Sequence, residues 1–122
     1  MNWWGLASGL LAALCTAGHA FAGHRMFLRP IQSHLTDAVQ SRGFSAMWHL
    51  ITLHFALSSL VLLACAVQGR SGLAVLLIAA QFAGYAVIYL VQSLRLGSVR
   101  RLFQWALFAG VSLLAAIGAT SP

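Results

Sequence analysis

The chain has 122 residues, enough for one domain. Hydrophobic residues make up 61% of it and charged residues 7%, more apolar surface than a soluble domain of this size can bury and a balance suited to a bilayer. The net charge is +6, all of it from arginine. The arginines stand at the ends of apolar runs and form no basic stripe interleaved with aromatics, so nucleic acid is excluded in favour of membrane orientation and lipid phosphate contact.

The first apolar segment runs from Trp3 to about Ala22. Trp3 and Trp4 suit an interfacial belt. Gly5, Gly9, Ala13 and Ala17 recur every fourth residue, a stripe that lets another helix approach closely. Cys15 and His19 share a different face. Ala20-Phe21-Ala22 resembles a cleavage site, but no basic region precedes the apolar run, so the segment is read as a retained spanning helix.

Residues 24–43 form a polar elbow. Arg25 and Arg29 end the apolar run, and Pro30 is expected to stop or kink the helix. Ile31, Leu35 and Val39 then recur every fourth residue and predict a short amphipathic helix on the membrane surface. All five histidines (His19, His24, His34, His49 and His54) and the only acid, Asp37, lie between Cys15 and His54. His24 and His34 are read as solvent or headgroup contacts.

The second apolar segment, Phe44 to about Val67, carries Trp48, His49, His54 and Cys65. Cys15 and Cys65 sit at different predicted depths and are read as free thiols. Residues 68–72 read as a tight turn. The third segment, Leu73 to about Leu94, places Gln81, Tyr85, Tyr89 and Gln92 on one helical face, a polar stripe expected to point inward. The fourth, Leu102 to about Ala119, opens with Gln104 and Trp105, and Ala106 and Gly110 form a close-packing pair.

These segments predict an all-α polytopic membrane protein: four transmembrane helices in an up-down antiparallel bundle, with the short amphipathic helix between the first two. Links one and three carry Arg25, Arg29, Arg42, Arg95, Arg100 and Arg101, whereas link two carries only Arg70. The positive-inside rule then places the histidine-bearing elbow in the cytoplasm and both termini outside an inner membrane. The same six arginines are candidates for lipid headgroup contact.

At the helical rise, His19, His49, Tyr89 and Gln104 fall in one layer roughly 5–9 Å below the cytoplasmic boundary. Cys15 and His54 lie one layer deeper. Ionisable groups at such depth are functional candidates. One reading is structural, with His19 and His49 hydrogen-bonding across helices to Tyr89 or Gln104. A second is a cofactor site: haem b between His19 and His49, a metal ion held by His19, His49, His54 and Cys15, or a quinone with Tyr89 as a further donor. There is no HExxH, nucleophile elbow, Gly-rich phosphate loop or carboxylate pair, and a single acid leaves little room for carboxylate catalysis.

The run Gly18-His19-Ala20-Phe21-Ala22-Gly23-His24-Arg25, then Leu28-Arg29-Pro30, then Trp48-His49-Leu50-Ile51-Thr52 resembles a group of small bacterial four-helix membrane proteins of unknown function. There a histidine near the end of the first helix precedes a Gly-Glu pair, an apolar-Pro elbow follows, and a Trp-His pair opens the second helix. The resemblance covers about 40 residues. It implies a bundle and a recurring pair at His19 and His49; His24 stands where the group has its glutamate. Small multidrug transporters also have four short helices, but their glutamate in the first helix is missing, as is the Gly-rich, Arg-bearing signature of fluoride channels.

The leading expectation is an accessory or structural subunit without catalysis of its own, packing through Gly5, Gly9, Ala13, Ala17, Ala106 and Gly110 against a larger membrane complex or a copy of itself. The alternative is a haem, metal or quinone-binding protein using His19 and His49. A small-solute transporter or channel along Gln81, Tyr85 and Tyr89 is the third.

Overall fold

A computed structural model describes residues 1–70 and 72–120, and every regular element within them is helical. Helix α1 spans Trp3–Ala17, a π-helix follows over Gly18–Leu28, and α2 spans Arg29–His34. Helix α3 covers Ala38–Val67, α4 Leu73–Arg95 and α5 Gln104–Thr120. The first three run on without a break, so Trp3–His34 is one stretch of 32 residues. This stretch, α3 and α4 are each long and apolar enough to cross a membrane, and α5 is a shorter apolar helix. That is the pattern of a multi-pass helical membrane protein. Its outer surface agrees: Leu10, Leu14, Leu50, Leu60 and Leu77 are all more than half exposed.

The helix ends follow local chemistry. The Asn2 carboxamide oxygen accepts the Gly5 N–H at 3.0 Å and caps α1. Gly69 (φ 63°) and Gly97 (φ 78°) end α3 and α4 in the left-handed region. Each sits in the same paired arrangement: Gly69 and Arg70 donate to Ala66 and Cys65, and Gly97 and Ser98 donate to Leu94 and Ser93. Ser71, in the predicted link between those helices, lies outside the described residues.

The elbow differs from its expectation. Pro30 does not stop the helix. It enters at the start of α2, where Arg29 N–H still donates five residues back to the His24 carbonyl. A proline needs no N–H partner, so it fits at this junction. The amphipathic helix over Ile31, Leu35 and Val39 is divided: Ile31 belongs to α2, Leu35 is extended, and Val39 belongs to α3. Asp37 causes the division. Its carboxylate accepts the Gln40 N–H at 2.8 Å and starts α3 at Ala38, ahead of the predicted Phe44.

Helix α1 packs against both α3 and α5, and α5 packs against α4, while α3 and α4 touch only lightly. Small residues bring the first set close. A Cβ on Gly9 would lie 2.7 Å from Leu63 Cγ, and one on Gly118 would lie 2.9 Å from the Gly5 nitrogen. Ser8, fully buried, donates to the Val111 carbonyl at 2.8 Å. Asn2 ties one end together: its backbone N–H donates to the Ala66 carbonyl at 2.9 Å and its side-chain amide to the Gly118 carbonyl at 2.5 Å. The start of α1 and the ends of α3 and α5 therefore share one end of the molecule.

Candidate functional site

The weak contact between α3 and α4 leaves a cavity of about 530 Å³. Phe44, Met47, Trp48, Leu50, Ile51, His54 and Phe55 of α3 line one side, and Tyr85 and Tyr89 of α4 line the other. His19 and Phe108 contribute the rest of its lining. Met47 is 61% exposed and Leu50 64%, so the mouth opens on the outer, apolar surface of the helices.

A cluster of four rings forms and backs the inner wall, with Phe82 behind the lining residues. Phe55, Phe82, Tyr85 and Phe108 contact one another in every pairing, with centroids 5.6–5.9 Å apart. Tyr89 meets Phe108 edge-on at 5.3 Å, and its hydroxyl forms no hydrogen bond to a described residue. His19 stacks on Trp48 with centroids 4.1 Å apart and planes 13° from parallel. It also meets Phe55 edge-on at 5.4 Å. Its Nε2 lies 3.4 Å from the Trp48 carbonyl oxygen, a long contact when Nε2–H donates.

A second, apolar cavity of about 230 Å³ lies behind this wall, lined by Leu14, Cys15, Gly18, Ala22, Phe103, Gln104 and Leu107. His19, Phe55, Tyr89 and Phe108 line both. Two polar atoms nearby are buried without a partner, the Trp48 indole Nε1 and the Gln104 Oε1.

The two histidines expected to pair are not equivalent. His19 is half-buried in the cavity wall, whereas His49 is exposed and outside the lining. Helical spacing explains this: Phe44, Trp48, Ile51 and Phe55 follow at intervals of 4, 3 and 4 and all line the cavity, while His49 is turned by a further 100°. The ring facing His19 is thus Trp48. His54 is on the cavity side, accepts a hydrogen bond from the Gln81 side chain and meets Tyr85 edge-on at 6.4 Å. Cys15 is buried and free. Among the described residues no three His, Cys, Asp or Glu side chains are placed to hold a metal ion.

Of the polar stripe on α4, Tyr85 and Tyr89 line the cavity, Gln81 serves His54, and Gln92 is exposed. The glycines of the small-residue stripes are used within the chain, the alanines less so. Gly5 and Gly9 are buried against α3, and Gly110 faces Leu11; Ala17 and Ala106 are exposed and Ala13 is intermediate. His34 Nδ1–H donates to the Pro30 carbonyl at 2.7 Å. The sequence signal for this wall is the recurrence of Phe44, Trp48 and Phe55 at intervals of 4 and 7, one face of α3; nothing local marks Phe108 as its partner.

Comparison with protein-family models, with curated proteins and with solved structures gives no match to this chain in any of the three.

Proposed function

We propose that the chain is a bacterial inner-membrane protein that crosses the bilayer four times, with both termini outside, and holds a lipophilic ring compound of the quinone type in the cavity between α3 and α4. The observation that carries this reading is the cavity: aromatic on its inner side, open at Met47 and Leu50 where lipid would lie, and furnished with the unpartnered Tyr89 hydroxyl. Its volume of about 530 Å³ is in the range that takes small ligands. A planar ring would lie against Phe55 and Phe108 and accept a hydrogen bond from Tyr89 at a carbonyl oxygen. The arginine asymmetry supports the orientation, because Arg25, Arg29, Arg42, Arg95, Arg100 and Arg101 fall on links one and three. With 17 residues, α5 is at the short limit for a span.

The test is a titration of detergent-purified protein with a short-chain quinone, followed by quenching of tryptophan fluorescence. Saturable quenching is expected, lost in Ile51→Trp, which fills the cavity from its rim, and weakened about threefold to tenfold in Tyr89→Phe. Quenching that rises linearly with quinone, or is unchanged in Ile51→Trp, would sink the reading.

A second reading keeps the accessory subunit. The same gap between α3 and α4 would receive a helix of a larger membrane complex or of another copy. In that case the protein purifies with a second chain, and Ile51→Trp releases it.

A further inference from the structure

The π-helix builds a second site, on the outside of the molecule. In an α-helix, nine residues at 3.6 per turn leave Ala20 and Arg29 on opposite sides of the axis. A π-helix closes its hydrogen bonds over five residues and needs more than four residues per turn, so nine residues make about two turns. Ala20, His24, Arg25 and Arg29 consequently come onto one face, at offsets of 0, 4, 5 and 9. They line a cleft of about 480 Å³ together with Phe21 and Ala22. Arg25 and Arg29 are exposed and His24 is half-buried. Neither arginine has an acidic partner among the described residues. The only acid, Asp37, is engaged in capping α3. The cleft shares Ala22 with the apolar cavity lined by Leu14, Phe103 and Leu107.

We propose that this face binds a phosphate-type anion, with His24, Arg25 and Arg29 as its donors. Two guanidinium groups supply paired N–H donors suited to phosphate oxygens, and the imidazole adds one more. Phe21, 75% exposed at the edge of the cleft, gives it an apolar rim against which the chains of a phosphate-bearing lipid would run, so a lipid headgroup is the expected source. None of the three donors lines the ring-binding cavity between α3 and α4.

The experiment is native mass spectrometry of the full-length protein in detergent, with phosphatidylglycerol or phosphatidylcholine added at matched concentrations. Preferential retention of phosphatidylglycerol is expected, falling about tenfold for each of Arg25→Gln and Arg29→Gln. Arg100→Gln/Arg101→Gln should leave it unchanged. A charge-relocating variant, Arg29→Gln/Phe27→Arg, keeps the net charge but moves it off the face, and should remain defective. Full rescue by that variant, or equal losses from every arginine pair, would mean diffuse attraction and overturn the site. Added inorganic phosphate separates the sources: if it displaces the lipid, a free anion suffices, and if it does not, the ligand is the lipid. A stability measurement on each variant distinguishes lost binding from lost folding.

Discussion

His19 and Trp48 lie face to face across the junction of the π-helix and α3, with ring centroids 4.1 Å apart and planes 13° from parallel. A side chain expected to serve as a polar ligand is used as an aromatic surface. Gly23 makes room for this arrangement, because a Cβ there would stand 2.8 Å from Trp48 Cζ2. Gly23→Leu should displace the indole and disturb the stack, whereas Gly18→Leu, with open space at its Cβ, should not. Near-ultraviolet circular dichroism of the two variants reads the difference, and identical spectra would refute it.

Substitutions at Trp48 should separate ring from donor. Its Nε1 is buried without a partner, and such a donor costs about 1–3 kcal/mol. Trp48→Phe removes the donor and retains a ring for His19, so its stability should stay within about 1 kcal/mol of the parent. Trp48→Ala should lose about 3–5 kcal/mol. The measurement is reversible unfolding in mixed micelles.

Gln104 offers the complementary case. Its Oε1 is also buried and unpaired. Gln104→Leu keeps comparable bulk and removes the orphan acceptor, so the midpoint of thermal unfolding should stay level or rise. A fall corresponding to more than about 1 kcal/mol would show that the amide has a partner in solution.

The glycines should divide by what surrounds them. Gly9→Ala places a methyl 2.7–2.8 Å from the Leu63 side chain and 3.0 Å from its backbone nitrogen, so it should destabilise by about 1–3 kcal/mol. Gly84→Ala on α4 meets nothing within 4 Å and should gain up to about 1 kcal/mol through helix propensity. Denaturant titrations of both variants test the contrast.

Ser8 and Val111 supply the buried polar tie between α1 and α5. Ser8→Ala leaves the carbonyl without this donor. Interhelical bonds of this kind are worth about 0.6 kcal/mol on average, with a maximum near 1.7 kcal/mol, so a loss in that range is expected by the same titration.

The helices were legible because apolar length and terminal glycines are local signals: α4 starts at Leu73 as predicted and ends one residue past Leu94. The elbow was misread because the apolar spacing of Ile31, Leu35 and Val39 ignores the Asp37 cap, which outcompetes it. The site was only partly legible. His19, His54 and Tyr89 were marked by their polarity at depth and Tyr85 by its place on the polar stripe, and all four line the cavity. Depth along the axis, however, gives no azimuth, so His49 was paired with His19 although its ring is on the outside. Nothing local in residues 18–28 signals five-residue hydrogen bonding, and the grouping of His24, Arg25 and Arg29 follows from that alone.

The tie between Asn2 and Gly118 joins α1 to α5. During synthesis α1 enters the membrane well before α5 exists, and until then the Asn2 amide and the Ser8 hydroxyl lack their α5 acceptors. Assembly therefore cannot proceed strictly helix by helix; it remains open until α5 has been made. A chain cut short before Gln104 would keep the three long apolar stretches and leave the α5-facing side of α1, with Asn2, Ser8 and Gly5, uncovered.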